Sequence, residues 1–151
     1  MGLFSFLRMI YMWMQKEIVL VPKRRGFHLI TKEVLSQLPE LKNIKLGLVH
    51  LLLQHTSAGI TLNENADPTV RSDFSQFIDR LVPEDCHYFE HTYEGGDDMP
   101  AHIKSSLLGV ELTLPVTKGK LNIGVWQGIY LGEYRDTGGE RRLLATINGQ
   151  N

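Results

Sequence analysis

Six histidines and a single cysteine make imidazole the abundant soft metal ligand of this chain and exclude a multi-thiolate site. Four short stretches gather the groups able to do chemistry. The first is His55-Thr56-Ser57-Ala58-Gly59, and the second is Asn63-Glu64-Asn65-Ala66-Asp67. The third runs from His87 to His102 and contains His91, Glu94, Asp97 and Asp98; the fourth is Trp126-Gln127-Gly128, followed by Glu133 and Arg135. Neutral imidazoles on loops can hold Zn²⁺ with three protein ligands and leave a fourth position open for catalysis. His55, His91 and His102 form the candidate ligand set, with Asp97, Asp98 or Glu94 available to orient an imidazole. Ser57 lies two residues from His55 but outside a Gly-x-Ser-x-Gly elbow, so it is a weaker candidate nucleophile.

Each stretch also has a purely structural reading. His55 can be a hydrogen-bonded strand-end histidine, and Asn63 to Asp67 can serve a strand exit and a helix cap. Asp97-Asp98 can complement a helix macrodipole, and Trp126 can be a core aromatic. His28 and His50 have no polar company and read as structural.

The elements that must position these groups are short. At 151 residues the chain fits one domain with a real core. Sixteen basic against 17 acidic residues give a net charge of −1, which argues against a nucleic-acid partner. The lone cysteine excludes an intrachain disulfide and points to a reducing, cytoplasmic location. The apolar run Met1–Met14 is too short to span a bilayer; residues 1–12 read as a disordered leader or mis-assigned start, and 13–151 as the domain.

Strands are expected at Gln15–Val21, Phe27–Ile30, Ile44–His55 (buried on both faces), Gly59–Asn63, Val110–Leu114, Leu121–Leu131 and Arg142–Ile147. Thr31 is placed to cap a short helix. Asp67-Pro68 opens a second helix with an apolar stripe at Val70, Phe74, Phe77, Ile78 and Leu81. A third begins at Pro100 and ends at Gly109. The class is α+β, with about seven mostly antiparallel strands and two or three helices.

The ordered motifs His55-Thr56-Ser57-Ala58, Asn63 to Pro68, Asp97-Asp98-Met99-Pro100-Ala101-His102-Ile103-Lys104 and Trp126-Gln127-Gly128-Ile129 resemble the YjbQ-like family over about residues 13–147. That family is often named secondary thiamine-phosphate synthase. The resemblance implies a two-sheet β-sandwich, assembly as a homotrimer, and coupling of hydroxymethylpyrimidine diphosphate to thiazole phosphate with pyrophosphate release, as a main or a side activity. Two departures stand out: Val125 replaces the family's usual Thr, and Tyr134 replaces the His of its Glu-His-Arg. On this reading His55, Ser57, Asp97, Asp98, Glu133 and Arg135 are the catalytic candidates, with a divalent metal, zinc for preference, on His55, His91 and His102. Pyrophosphate departure needs cations, for which Lys104, Arg135 and Arg141 are at hand. Asn63, Asn65, Lys104, Trp126 and Gln127 are the substrate-binding candidates. A metal-dependent hydrolase of a phosphorylated small molecule and a non-enzymatic trimeric binding protein are the alternatives.

Overall fold

A computed structural model describes residues 11–151 as eight strands and three α-helices. β1 (Tyr11–Leu20), β2 (Gly26–Leu29), β3 (Leu46–Leu53) and β4 (Ala58–Glu64) precede α2; β5 (Glu111–Thr117), β6 (Lys120–Leu121), β7 (Gln127–Glu133) and β8 (Arg141–Gln150) follow α3. The helices are α1 (Thr31–Ser36), α2 (Pro68–Leu81) and α3 (Asp98–Leu108), with a 3₁₀ turn at Pro39–Asn43. The expected leader lies outside the described residues as far as residue 10, but Tyr11 and Met12 already belong to β1, paired with Gln150 and Gly149.

One sheet runs β1-β8-β3-β5-β6 and the other β2-β7-β4, with every pairing antiparallel. Their facing surfaces form the main core, which includes Ile18, Leu51, Leu53, Ile60, Ile129, Leu131 and Ile147. The other face of the small sheet packs on α2 and α3 through Phe27, Ile78, Ala101, Tyr130 and Tyr134. The two-sheet α+β architecture expected from the sequence is therefore present.

Several local expectations change. The strand buried on both faces is β7, sandwiched between the large sheet and the helices, not β3. On β3 the side chains alternate, and Leu46 and Leu48 stand exposed on the uncovered outer face of the large sheet. The expected strand Leu121–Leu131 breaks in two. Gln127 Oε1 accepts from the Gly124 N–H at 2.8 Å, closing a turn that carries the chain from one sheet to the other. Thr31 does not cap α1; its hydroxyl oxygen accepts from the Ile129 N–H at 2.8 Å and ties the helix to β7. Asp67 does cap α2, accepting from the Thr69 N–H, but Phe77 and Leu81 of the stripe remain exposed. α3 starts two residues earlier than expected, at Asp98.

Candidate metal centre

At the end of the small sheet where β4 begins and β7 finishes, three side chains converge. Asp98 and His102 are four residues apart on α3 and so share one helix face. His91 comes from the loop between α2 and α3. The His91 Nε2 lies 2.8 Å from Asp98 Oδ2, and His102 Nε2 lies 3.3 Å from the same oxygen. One ligand atom from each of the three falls within 4.8 Å of the others. His102 Nδ1 donates to the Thr56 carbonyl at 2.9 Å, which turns its Nε2 toward Asp98. Asp98 is 1% exposed, while both imidazoles reach solvent.

Arg135 holds the other side of this group. It donates to Asp98 Oδ1, to Asp97 Oδ2 at 2.9 Å through Nε, and to the Glu94 carbonyl at 2.7 Å. The Asp136 N–H also donates to Asp97 Oδ2. Burial works against ionising Asp97 and Asp98, but the Asp136 N–H and Arg135 hold the Asp97 carboxyl below its ordinary value, and hydrogen bonds with Glu94 and His91 together with the Arg135 charge do the same for Asp98. Burial likewise opposes the Arg135 charge, and the two aspartates outweigh it, raising its pKa.

Behind this centre lies a buried ion pair. Arg141 meets Glu133 through two hydrogen bonds, Nε to Oε2 at 2.7 Å and NH2 to Oε1 at 2.6 Å. Glu133 Oε1 also accepts from the Arg135 N–H at 3.0 Å, and Arg141 donates to the Ser57 carbonyl at 3.3 Å. Glu133 thus supports the Arg135 backbone from inside the protein. A Cβ on Gly138 would collide with the side-chain ends of both Glu133 and Arg141, so a larger residue in this turn would have to push the pair aside.

His55 corrects the expected ligand set. Its Nε2 accepts the Arg142 N–H at 2.9 Å, and its Nδ1 faces Arg141. Burial and the Arg141 charge depress its pKa. His55 ties the chain just beyond β3 to the start of β8, and Asp98 takes the third place in the cluster. With Nε2 so engaged, His55 is not placed to act as base for Ser57, whose carbonyl is the group used here.

The cations and amides of the sequence reading are distributed elsewhere. Lys104 is buried and paired with Asp79, so it faces α2 rather than the centre. Asn63, Asn65, Trp126 and Gln127 sit at the opposite end of the small sheet, where Glu64 pairs with Gln127; Ala58 pairs with Glu133 at the near end. A strand of this length separates the two groups by about 20 Å. Asn65 Nδ2 donates to the carbonyls of Val125 and Gln127, both at 3.0 Å, and Asn63 Oδ1 accepts from the Glu64 N–H. These amides lock a strand exit and a turn. Trp126 is exposed beside a cavity of about 460 Å³ lined by Leu29, Thr31, Lys32, Asn65 and Gln127.

The donors at the centre fit a divalent cation: two imidazole nitrogens and one carboxylate oxygen, with His102 oriented by the Thr56 carbonyl and Asp98 by Arg135. The sequence alone placed neither the Thr56 carbonyl beside His102 nor Asp98 among the converging donors. The signal for Asp98 was present in its four-residue spacing from His102.

Residues 16–150 match the family model described as UPF0047 protein YjbQ-like. UPF0047 protein YjbQ of Escherichia coli O157:H7 is 58% identical over 139 residues, covering 92% of this chain and 100% of that protein. The B. subtilis protein YugU is 41% identical over 105 residues, covering 70% of this chain and 76% of its own. Among solved structures, a YbjQ-like protein of unknown function from Sulfolobus solfataricus superposes with a TM-score of 0.81 at 26% identity, covering 93% and 99% of the two chains. A YjbQ/UPF0047 protein from Clostridium acetobutylicum gives 0.76 at 34% identity, covering 87% and 98%.

Proposed function

The chain belongs to the UPF0047 protein YjbQ-like family, and we propose that it is a divalent-metal-dependent enzyme acting on a phosphorylated small molecule. The convergence of His91, Asp98 and His102 carries this reading. A cation held there supplies Lewis acidity toward a phosphate oxygen. His91 and His102 offer it nitrogen, and Asp98, fixed by Arg135, offers oxygen. Arg135, Lys104 and Arg141 already pair with Asp97 and Asp98, with Asp79 and with Glu133. Neutralising a phosphorylated substrate would therefore fall chiefly to a cation held by His91, Asp98 and His102.

The reaction proposed first is the one the family resemblance implies, coupling of hydroxymethylpyrimidine diphosphate to thiazole phosphate with release of pyrophosphate. Hydrolysis is the second reading. The distance of Asn65 and Gln127 from the centre favours it, because coupling needs an acceptor site beside the metal and water does not. The experiment measures pyrophosphate and phosphate release with Zn²⁺, Mn²⁺ or Mg²⁺ added to chelator-treated protein. Pyrophosphate released only when both substrates are present selects coupling; release from the pyrimidine diphosphate alone selects hydrolysis. Activity that survives His102→Ala, or metal analysis that finds nothing bound after reconstitution, removes the metal enzyme and leaves a binding protein.

The same reading includes a homotrimer, for which the outer face of the large sheet offers Tyr11, Trp13, Leu46 and Leu48. Light scattering is expected to give three chains per particle, and Trp13→Glu with Leu48→Glu to give one. The location proposed is cytoplasmic, supported by the free thiol of Cys86. No helix among the described residues is long and apolar enough to cross a membrane.

A further inference from the structure

At the end of the molecule away from the histidines, α1 and the 3₁₀ turn lean against the segment that follows β5. Between them is a cavity of about 360 Å³. Leu35, Leu38, Leu121 and Ile123 line it, and Lys42 and Lys120 stand exposed at its rim. That volume lies in the range of small-molecule sites, which pair an apolar wall with a few convergent polar groups.

The lysines are part of a wider gathering. The Lys118 N–H donates to the Lys45 carbonyl at 2.7 Å, and the Gly119 N–H to the Ile44 carbonyl at 2.7 Å. The turn between β5 and β6 therefore rests on the segment 42–45, bringing Lys42, Lys45, Lys118 and Lys120 to one corner. Among the described residues none of the four forms an ion pair, although Lys16, Lys23 and Lys104 do. Lys118 is also the one non-glycine residue described with a positive φ, at 52°, where Gly or Asn would cost less. A chain of net charge −1 thus gathers at this corner four lysines without ion pairs, two of which line the apolar cavity. An anion whose apolar part filled the cavity would relieve their mutual repulsion.

We infer that this corner is a binding site for a small amphipathic anion: an apolar body seated on Leu35, Leu38, Leu121 and Ile123, with a phosphate or carboxylate head on Lys42 and Lys120. The site is separate from the His91–Asp98–His102 centre, and the inference does not rest on the function proposed for that centre.

The probe is octyl phosphate below its micelle concentration, titrated calorimetrically into chelator-treated protein, with inorganic phosphate and octanol as partial probes. Octyl phosphate is expected to bind at least 10-fold more tightly than either partial probe. Lys42→Ala with Lys120→Ala is expected to weaken it at least 10-fold, as is Leu35→Trp, which fills the cavity. His102→Ala is expected to leave it unchanged. Octanoate in place of octyl phosphate tells a carboxylate head from a phosphate one; either binding in the same pattern supports the site. Absence of octyl phosphate binding, equal affinity for inorganic phosphate, indifference to the lysine pair, or loss in His102→Ala would each overturn it.

Discussion

Asp98 divides its two oxygens between two tasks: Oδ2 faces the imidazoles of His91 and His102, and Oδ1 faces Arg135. Arg135 makes that division possible because its planar fork spans Asp97 and Asp98 at once. Lysine would keep the charge and lose the fork. Arg135→Lys is therefore expected to weaken Zn²⁺ binding by about 10–100-fold, the usual cost of losing a group that orients a ligand. Competition with a chromogenic chelator reads it, and an unchanged affinity would show that Asp98 needs no such brace. Tyr134 presents the opposite case. It stands where the family resemblance led us to expect histidine, and its hydroxyl is buried without a hydrogen-bond partner among the described residues. Burial and the Glu133 charge push its phenol well above the ordinary value. Its ring packs edge-on to Phe27, with centroids 6.0 Å apart. Tyr134→Phe keeps that packing and removes an unsatisfied hydroxyl, so urea unfolding is expected to show no loss and up to about 1 kcal/mol of gain. A loss greater than that would mean the hydroxyl has a partner.

At the level of elements, α3 joins fold to site: its first residue is Asp98, its fifth is His102, and Lys104 anchors it to α2 through Asp79. The helix ends at Gly109, whose φ of 91° and ψ of 165° belong to a region open essentially to glycine alone. Its carbonyl accepts from the Ile60 N–H at 3.0 Å, tying that end to β4. No neighbour lies within 4 Å of a Cβ placed there, so any penalty for Gly109→Ala comes from the backbone. About 1–3 kcal/mol of lost stability is expected, read by urea midpoint. This terminus was legible in the sequence, as were the Asp67-Pro68 start of α2 and the turn at Lys118-Gly119. Leu121 to Leu131 was not, because its apolar and aromatic residues read as one strand, and Asn122, Gly124, Gln127 and Gly128 among them do not by themselves record a change of sheet. What breaks it is a side-chain hydrogen bond from the Gly124 N–H to Gln127, a tertiary choice with no periodic trace. His91 and His102 were named from the sequence and the helical pair Asp98 and His102 was readable by spacing, whereas the displacement of His55 depends on how β8 folds back.

Taken whole, the molecule has two unlike ends joined by the small sheet. The end holding the histidines concentrates carboxylates locked to arginines, and the other end concentrates unpaired lysines around apolar cavities. The four motifs that identified the family divide between these ends, which linear order alone could not reveal. This distribution sets how stability depends on acidity. His55 is held neutral by burial and by Arg141, so its folded pKa lies below its ordinary 6.5. Asp79 is resisted by burial, yet Lys104 and Arg25 hold it below its ordinary 3.8. A group whose folded pKa is depressed binds more protons when unfolded, so its contribution is present above the unfolded pKa and lost as pH falls through the folded one. The melting temperature is therefore expected to be level above about pH 6.5, to begin falling below it as the unfolded state gains a proton on His55, and to fall further below about pH 3.8 as Asp79, Asp97 and Asp98 follow. His55→Gln removes the first of these protonations. In that variant the decline between pH 6.5 and pH 5 should flatten while the acid limb below 3.8 remains. If the decline near pH 6 were as steep in His55→Gln as in the parent, another histidine would be responsible, and the neutral state assigned to His55 would fail.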